Sequence, residues 1–252
     1  MNFAAITRQL KFDLLIFRRN PAATFFTVIL PLIFLLLFTA IFDGTLENGE
    51  DVNTVFVPGI LTLAVVSATA VNVAITMTTR RERGVLKRVR GTPINPAVFV
   101  LSQSLTGTII AFIMTLIMIT IGWALFNVAL QFATLPSLVI SLIIGAMSFA
   151  AIGLAMTTII PSVEAAPAVT NAVFLPLYFL SGVFVPNEQV PAWVVTVGNL
   201  FPVSHLNQAL QESFDPTATG PAWPWNHWLV IAGWGLFGLV VTLKRFRWTP
   251  NR

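Results

Sequence analysis

All 14 lysines and arginines of this chain lie in three short segments, and long apolar runs fill the space between them. Arg8, Lys11, Arg18 and Arg19 come first. Arg80, Arg81, Arg83, Lys87, Arg88 and Arg90 form a dense middle cluster, and Lys244, Arg245, Arg247 and Arg252 close the chain. The stretches 43–54, 127–134 and 186–226 hold no cation and carry Asp43, Glu47, Glu50, Asp51, Glu188, Glu212 and Asp215 instead. Short loops rich in Lys and Arg stay in the cytoplasm, so the sorting places all three cationic segments inside. Six apolar spans fit between the clusters, at 24–42, 55–79, 98–126, 135–160, 167–185 and 227–243. Each reaches or approaches the roughly 20 residues that cross a bilayer as helix. The expected fold is therefore an all-α integral membrane protein with six transmembrane helices. Both termini are expected to be cytoplasmic, with the chain in the cell membrane and Pro31 kinking the first span.

Composition agrees. The chain is 56% hydrophobic and 10% charged, against about 25% charged for a soluble domain. Its basic balance suits anionic lipid headgroups rather than nucleic acid. Trp123, Trp193, Trp223, Trp225 and Trp228 fall at or beyond the expected outer ends, where aromatic belts form. There is no cysteine, which excludes disulfides, thiolate metal sites and Cys nucleophiles. His205 and His227 are the only histidines, too few for a His-based metal site.

Residues 1–20 read as an amphipathic helix in the cytoplasmic headgroup layer. Phe3, Ile6, Leu10, Leu14 and Phe17 share one face, and the four cations supply the other. Asp13 interrupts the front region and argues against a cleaved signal peptide. Asn20-Pro21 breaks the helix. The outer segment 186–226 is too apolar for a solvated linker at Val190–Val195 and Phe201–Val203. Two short helices dipping back into the outer leaflet explain it, the alternative being a loop lying flat on the headgroups.

No span contains Asp, Glu, Lys or Arg, which argues against an ion-coupled transporter. Glu164 comes closest, in the inner turn 161–166, either solvated or capping span five. No catalytic group and no G-x-x-x-x-G-K-[ST] phosphate loop is present, so the chain is not expected to be an enzyme or to bind ATP itself. Energy for uphill transport must then come from a cytosolic partner, and residues 80–93 are the extended polar surface it would touch. There Val85, Leu86 and Val89 fall on one helical side, and Gly91-Thr92-Pro93 ends the helix. The pattern alone fits a partner-binding helix or a simple positive-inside anchor equally well.

Glu82-Arg83-Gly84-Val85-Leu86-Lys87-Arg88-Val89-Arg90-Gly91-Thr92-Pro93 closely resembles the E-R-G-x-L-x-x-[LMV]-[RK]-x-[ST]-P segment of ABC type-2 transporter permeases. The branch it most resembles exports drugs and lipids and includes daunorubicin-resistance permeases. Leu180-Ser181-Gly182-Val183-Phe184-Val185-Pro186, Val190-Pro191-Ala192-Trp193 and Phe201-Pro202-Val203-Ser204-His205 resemble the family's segment after the fifth span. Gln211 departs from the basic residue that relatives often carry. The resemblance implies a single permease domain over 1–252. Residues 1–20 would be its connecting helix, 80–93 its coupling helix and 186–226 its outer re-entrant segment. Glu82, Arg83, Gly84, Leu86, Val89 and Arg90 would engage a separate ATP-binding subunit, which would bind ATP and Mg. Glu82 would tie the segment to Arg80, Arg83 or the connecting helix. The working unit would pair two permeases with two ATPases and export a drug, lipid or glycan. A passive channel or a membrane scaffold recruiting a cytosolic protein through 80–93 is the other reading.

Thr62, Thr69, Asn72 and Thr76 form a polar arc on span two, and Asn171, Tyr178 and Gly182 line up on span five with Phe174 beside them. Polar stripes on apolar helices face protein or a cavity. They suit a substrate path between two copies, or ordinary helix–helix bonding within one. The small residues of span four, Ser141 to Gly153, and Gly233, Gly235 and Gly238 of span six are expected to serve close packing.

The cysteine-free background allows a direct test of topology. Single cysteines replacing Glu50, Gln131 and Thr217 should react with an impermeant thiol reagent from outside. Those replacing Lys87 and Arg252 should react only from inside, and outside labelling at Lys87 contradicts the six-span arrangement.

Overall fold

A computed structural model of the chain describes residues 3–41, 52–90, 96–126, 131–186, 189–215, 218, 220, 221, 223–246 and 249. Among them every regular element is helical. In order these are α1 (Phe3–Arg18), α2 (Pro21–Thr24), α3 (Leu30–Ile41), α4 (Val52–Val66), α5 (Asn72–Glu82), α6 (Val85–Arg90) and α7 (Pro96–Phe126). There follow α8 (Leu135–Met156), α9 (Ala165–Leu180), α10 (Ala192–Gly198), α11 (Pro202–Phe214) and α12 (Trp225–Arg245). Four stretches are long and apolar enough to cross a membrane: Val55–Glu82, Ser102–Phe126, Phe132–Met156 and Trp225–Arg245. Phe25–Ile41 and Ala165–Leu180 are apolar but shorter.

Span two runs as α4, a π turn at Ser67–Val71, and α5. It is the most enclosed of the four, with 78% of its apolar window buried. Its π turn lies where two glycines let the backbones approach. A Cβ on Gly107 of α7 would meet the Ala68 carbonyl at 3.0 Å, and one on Gly153 of α8 would strike the Ala70 carbonyl. The expected close packing of spans four and six is present. A Cβ on Gly235 would meet Ser148 Oγ at 2.5 Å, and one on Gly238 the backbone of Ala151 and Ile152 at 2.9–3.0 Å. Gly233 differs, because open space surrounds it. Span one widens into a π turn at Phe25–Ile29 just before Pro31, the residue expected to kink it.

Span five ends sooner than its apolar run. The helix stops at Leu180, and Gly182, at φ 70, turns the chain so that Val183 and Phe184 enter the core. A left-handed residue costs other side chains about 1 kcal/mol or more, so glycine fits this corner. Asn207 of α11 donates from Nδ2 to the Ser181 carbonyl at 2.9 Å and ties the corner down. Two helices do form within 186–226. The longer, α11, buries Val203, Leu206, Asn207, Leu210 and Phe214 against the bundle, which gives the apolar character of that stretch its reason.

Helix α1 turns part of its expected apolar face to the protein. Leu14 and Phe17 pack on the core and Asp13 is 3% exposed, whereas Phe12, Leu15 and Ile16 point outward. Trp228 also departs from the belt reading. It is buried, and its Nε1 donates to Ser141 Oγ at 2.8 Å, while Trp123, Trp193, Trp223 and Trp225 are exposed.

Candidate functional site

The end of span two that carries the cationic cluster is built around two arginines that the surface does not own. Arg80 is 8% exposed and Arg81 2%. A buried guanidinium needs an anion and several acceptors, because losing water costs several kcal/mol per ion. Arg80 finds its anion on α1. Its Nη2 donates to Asp13 Oδ1 at 2.7 Å and its Nη1 to Gln103 Oε1 of α7 at 3.0 Å. Gln9 Nε2 donates to the same Asp13 oxygen at 3.0 Å, and Ser102 Oγ lies 3.4 Å from Oδ2. The carboxylate read from sequence as an interruption is thus the link holding three helices together.

Arg81 points to the other side. Its Nη2 donates to the Ile160 carbonyl at 2.7 Å and its Nη1 to the Thr157 carbonyl. These carbonyls lie just past the end of α8, at Met156, where orphan acceptors and the negative end of the helix dipole favour a cation. Arg81 Nε donates to Glu82 Oε1 at 2.7 Å, which supplies the counter-charge.

The chain then turns into α6. Arg83 closes α5, and Gly84, at φ 69, adopts the left-handed conformation common after helix ends, its N–H donating to the Arg81 carbonyl at 3.0 Å. The glycine of the motif therefore serves a backbone corner. Leu86 is fully buried within the chain, against Val73, Met77, Ala150 and Leu154 with Phe246 beside them. Sequence reading had put Leu86 at the contact with a partner; here it anchors α6 to its own bundle. Arg83, Lys87 and Arg88 are the residues of the segment left exposed. Val89 and Arg90 belong to α6, but their side chains, like residues 91–93, lie outside the described residues. Among the described residues, Arg80 ties the segment to the N-terminal helix through Asp13, and Glu82 pairs with Arg81.

The polar arc of span two faces inward. Thr69 Oγ1 donates to the Val65 carbonyl at 2.6 Å, Asn72 Nδ2 to the Ala68 carbonyl at 3.4 Å, and Thr76 Oγ1 to Asn72 Oδ1 at 3.3 Å. Asn72 and Thr76 also line a small cavity of about 20 Å³ with Asp13, Arg80, Gln103 and Thr106, space for a single water. On span five, Phe174 and Tyr178 are buried and stack at 6.3 Å, while Asn171 is exposed. Tyr178 approaches Ser67 of the π turn, yet its hydroxyl completes no hydrogen bond. Spans two and five therefore do meet, inside one chain. Glu164 is exposed, and its carboxyl is held below the usual range by its own backbone N–H and by Ser162. Ser162 Oγ, not Glu164, accepts the Ala165 N–H at the start of α9. Among the described residues, no three His, Cys, Asp or Glu side chains could hold a metal.

Residues 4–214 match the ABC-2 type transporter family. The chain is 30% identical over 206 residues to the daunorubicin resistance ABC transporter permease protein DrrB1 of Streptomyces coeruleorubidus, covering 80% of this chain and 72% of that one. It is 21% identical over 222 residues to YvfS of Bacillus subtilis strain 168, named as a transport permease, covering 88% and 89%. Ycf38 of Cyanophora paradoxa, also named as a transport permease, is 27% identical over 207 residues, covering 77% and 68%.

The buried pair can be tested by a double-mutant cycle. Asp13→Leu or Arg80→Met alone leaves one buried charge without its partner and should cost about 3–5 kcal/mol. Asp13→Leu with Arg80→Met removes both charges and should recover most of that loss. Thermal denaturation of the purified protein measures both, and additive losses would show that the two residues do not act as a pair.

Proposed function

The chain belongs to the ABC-2 type transporter family, and we propose that it is the permease subunit of an ATP-driven exporter. The family match over 4–214 is the observation that carries this reading. Transmembrane helices and family membership together make it an integral membrane protein. Its relatives are permease subunits rather than catalysts. In the proposed arrangement a separate subunit binds ATP and Mg, and two permease copies pair across the membrane. Six spans cross with both termini and the cationic segments inside. The cargo is hydrophobic or amphipathic, of the drug, lipid or glycan class. The drug class draws support from the likeness to the daunorubicin resistance permease of Streptomyces coeruleorubidus.

The ATPase would seat on α6. With Leu86 fixing that helix to the bundle, the exposed Arg83, Lys87 and Arg88 are the groups available to a partner. An acidic or polar groove on the ATPase would complement them, and the buried Arg80 and Arg81 would carry its movement to α1, α7 and α8. This differs from a simple anchor in what charge reversal does. Arg83→Glu with Lys87→Glu alters only exposed side chains, so folding and membrane insertion should persist. Co-purification of the ATPase, produced in the same cells, should fall at least tenfold, about 1.4 kcal/mol, and substrate-stimulated ATP hydrolysis should fall with it. Full retention of both would return the chain to a passive channel or a scaffold.

For the substrate path we propose the seam between spans two and five, with Thr69, Asn72 and Thr76 on one side and Asn171, Phe174 and Tyr178 on the other. The single chain encloses most of these residues, so transport requires the seam to open toward the second copy. The buried Tyr178 hydroxyl supports this reading. A polar group without a partner costs about 1–3 kcal/mol, and a site that must accept passing cargo accounts for it. Tyr178→Phe removes only that hydroxyl, so it should leave stability unchanged or raised. In a cell-based resistance panel it should shift which compounds are exported, whereas an unchanged export profile would make Tyr178 a packing residue.

A further inference from the structure

The only two histidines of the chain meet at the end of the bundle opposite the cationic segment. His205 stands on the first turn of α11 and His227 on the first turn of α12. Their Nδ1 atoms are 2.7 Å apart. His205 Nε2 lies 2.9 Å from the Asn199 backbone carbonyl. His227 Nε2 lies 3.4 Å from Glu212 Oε1, one turn before the end of α11.

These contacts can be counted in protons. A carbonyl only accepts, so His205 Nε2 carries a hydrogen, and a neutral ring then has a bare Nδ1. The 2.7 Å contact needs one hydrogen between two nitrogens, so His227 supplies it from its Nδ1. A neutral His227 would then turn its Nε2 lone pair toward the Glu212 carboxylate, setting two acceptors against each other. One further proton, held between His227 Nε2 and Glu212 Oε1, removes the conflict and leaves all four ring nitrogens in a favourable contact.

We propose that His205, His227 and Glu212 form a proton-binding site in which one shared proton clamps α11 to the first turn of α12. Among the described residues the surroundings isolate it. Helices α4, α8, α9 and α10 contain no Asp, Glu, Lys or Arg, and α11 and α12 bring only Glu212 to this end. Asp215, just past α11, is the nearest other acidic position in sequence. His227 is 7% exposed, whereas the Glu212 side chain is 45% exposed, so the proton can exchange with water. Partial burial pushes the Glu212 carboxyl up from its usual range, which favours keeping the proton. His227 and Glu212 bind it as a unit, so its loss is a property of the pair. Rising pH strips the shared proton and restores the clash. The clamp therefore opens as the pH rises. It depends on neither the cargo nor the ATPase, and it holds whichever face of the membrane this end occupies.

Two histidines give only four ring-nitrogen signals, so the full chain labelled with ¹⁵N-histidine and reconstituted in lipid vesicles reports the site directly by solid-state NMR. His205 should be the neutral ring with a protonated Nε2, and His227 should keep a protonated Nδ1. Raising the pH should produce a proton-loss step on His227 that moves in Glu212→Gln. His227→Gln should change the His205 Nδ1 signal. Two rings titrating independently at ordinary values, unaffected by each other or by Glu212, would overturn the proposal, and the wild-type titration shows this even if a variant fails to fold. Zn²⁺ moving both Nδ1 signals at constant pH would also overturn it and make the pair a metal site.

Discussion

Arg81 heads the fully buried side chains by volume, and it is a cation. An apolar side chain there would leave the Thr157 and Ile160 carbonyls without these donors, and a shorter cation would reach one of them at most. The planar guanidinium spreads its donors over two carbonyls and a carboxylate, which is what lets it lie out of water. With Arg80 next to it facing Asp13 and Gln103, consecutive residues bind opposite flanks of one helix. Span two is thereby fixed to α1 and α7 on one side and to the end of α8 on the other. A π turn between two glycines lets its neighbours pack close to its middle.

That arrangement explains which parts of the fold were legible in the sequence. Spans two, three, four and six follow from length and apolarity, properties each run carries by itself. The small-residue faces of α8 and α12 were readable for the same reason, since Gly235 and Gly238 repeat at the spacing that brings backbones together. The partners of the buried charges were not. Asp13 and Arg80 are 67 residues apart and Arg81 and Ile160 are 79 apart, so no local pattern reveals that these ions leave the surface. Counting Lys and Arg by side gives the same answer whether an arginine is solvated or enclosed.

The candidate site shows the same division. The motif from Glu82 to Arg90 falls on the turn from α5 into α6, and the place of each described residue depends on what packs behind it. Gly84 is explained by a left-handed turn, and Leu86 by a pocket that α8 and the end of α12 complete. Gly182 had been placed in line with Asn171 and Tyr178, and it too is explained by a corner. In each case a residue type that looked like a contact or a stripe is explained by backbone geometry or by a neighbour distant in sequence. Tyr178 stands apart, because packing accounts for its ring but not for its hydroxyl.

How a force applied at α6 would travel follows from where the chain can give. The turn at Arg83-Gly84 is a joint between α5 and α6, and a free glycine joint would absorb a push rather than pass it on. Leu86 removes that freedom, because rotating α6 about the turn would drag it out of a fully closed pocket at a cost of about 2–3 kcal/mol for the side chain alone. Beyond the joint, α5 could yield only by breaking the Asp13–Arg80 pair or the Arg81 contacts, and separating a buried pair costs about 3–5 kcal/mol. The softest remaining response is for α5, α1 and the Met156 end of α8 to move together. Helix α8 lies against α12 along the glycine face of that helix, where backbones are too close to slide freely. Displacement at the cationic end is thus delivered through α8 and α12 to the far end of the bundle, where α11 and α12 are joined by polar side chains rather than by interlocked backbone. In the proposed exporter the stiff end would receive the load, and the end held by exchangeable contacts is where the structure would open.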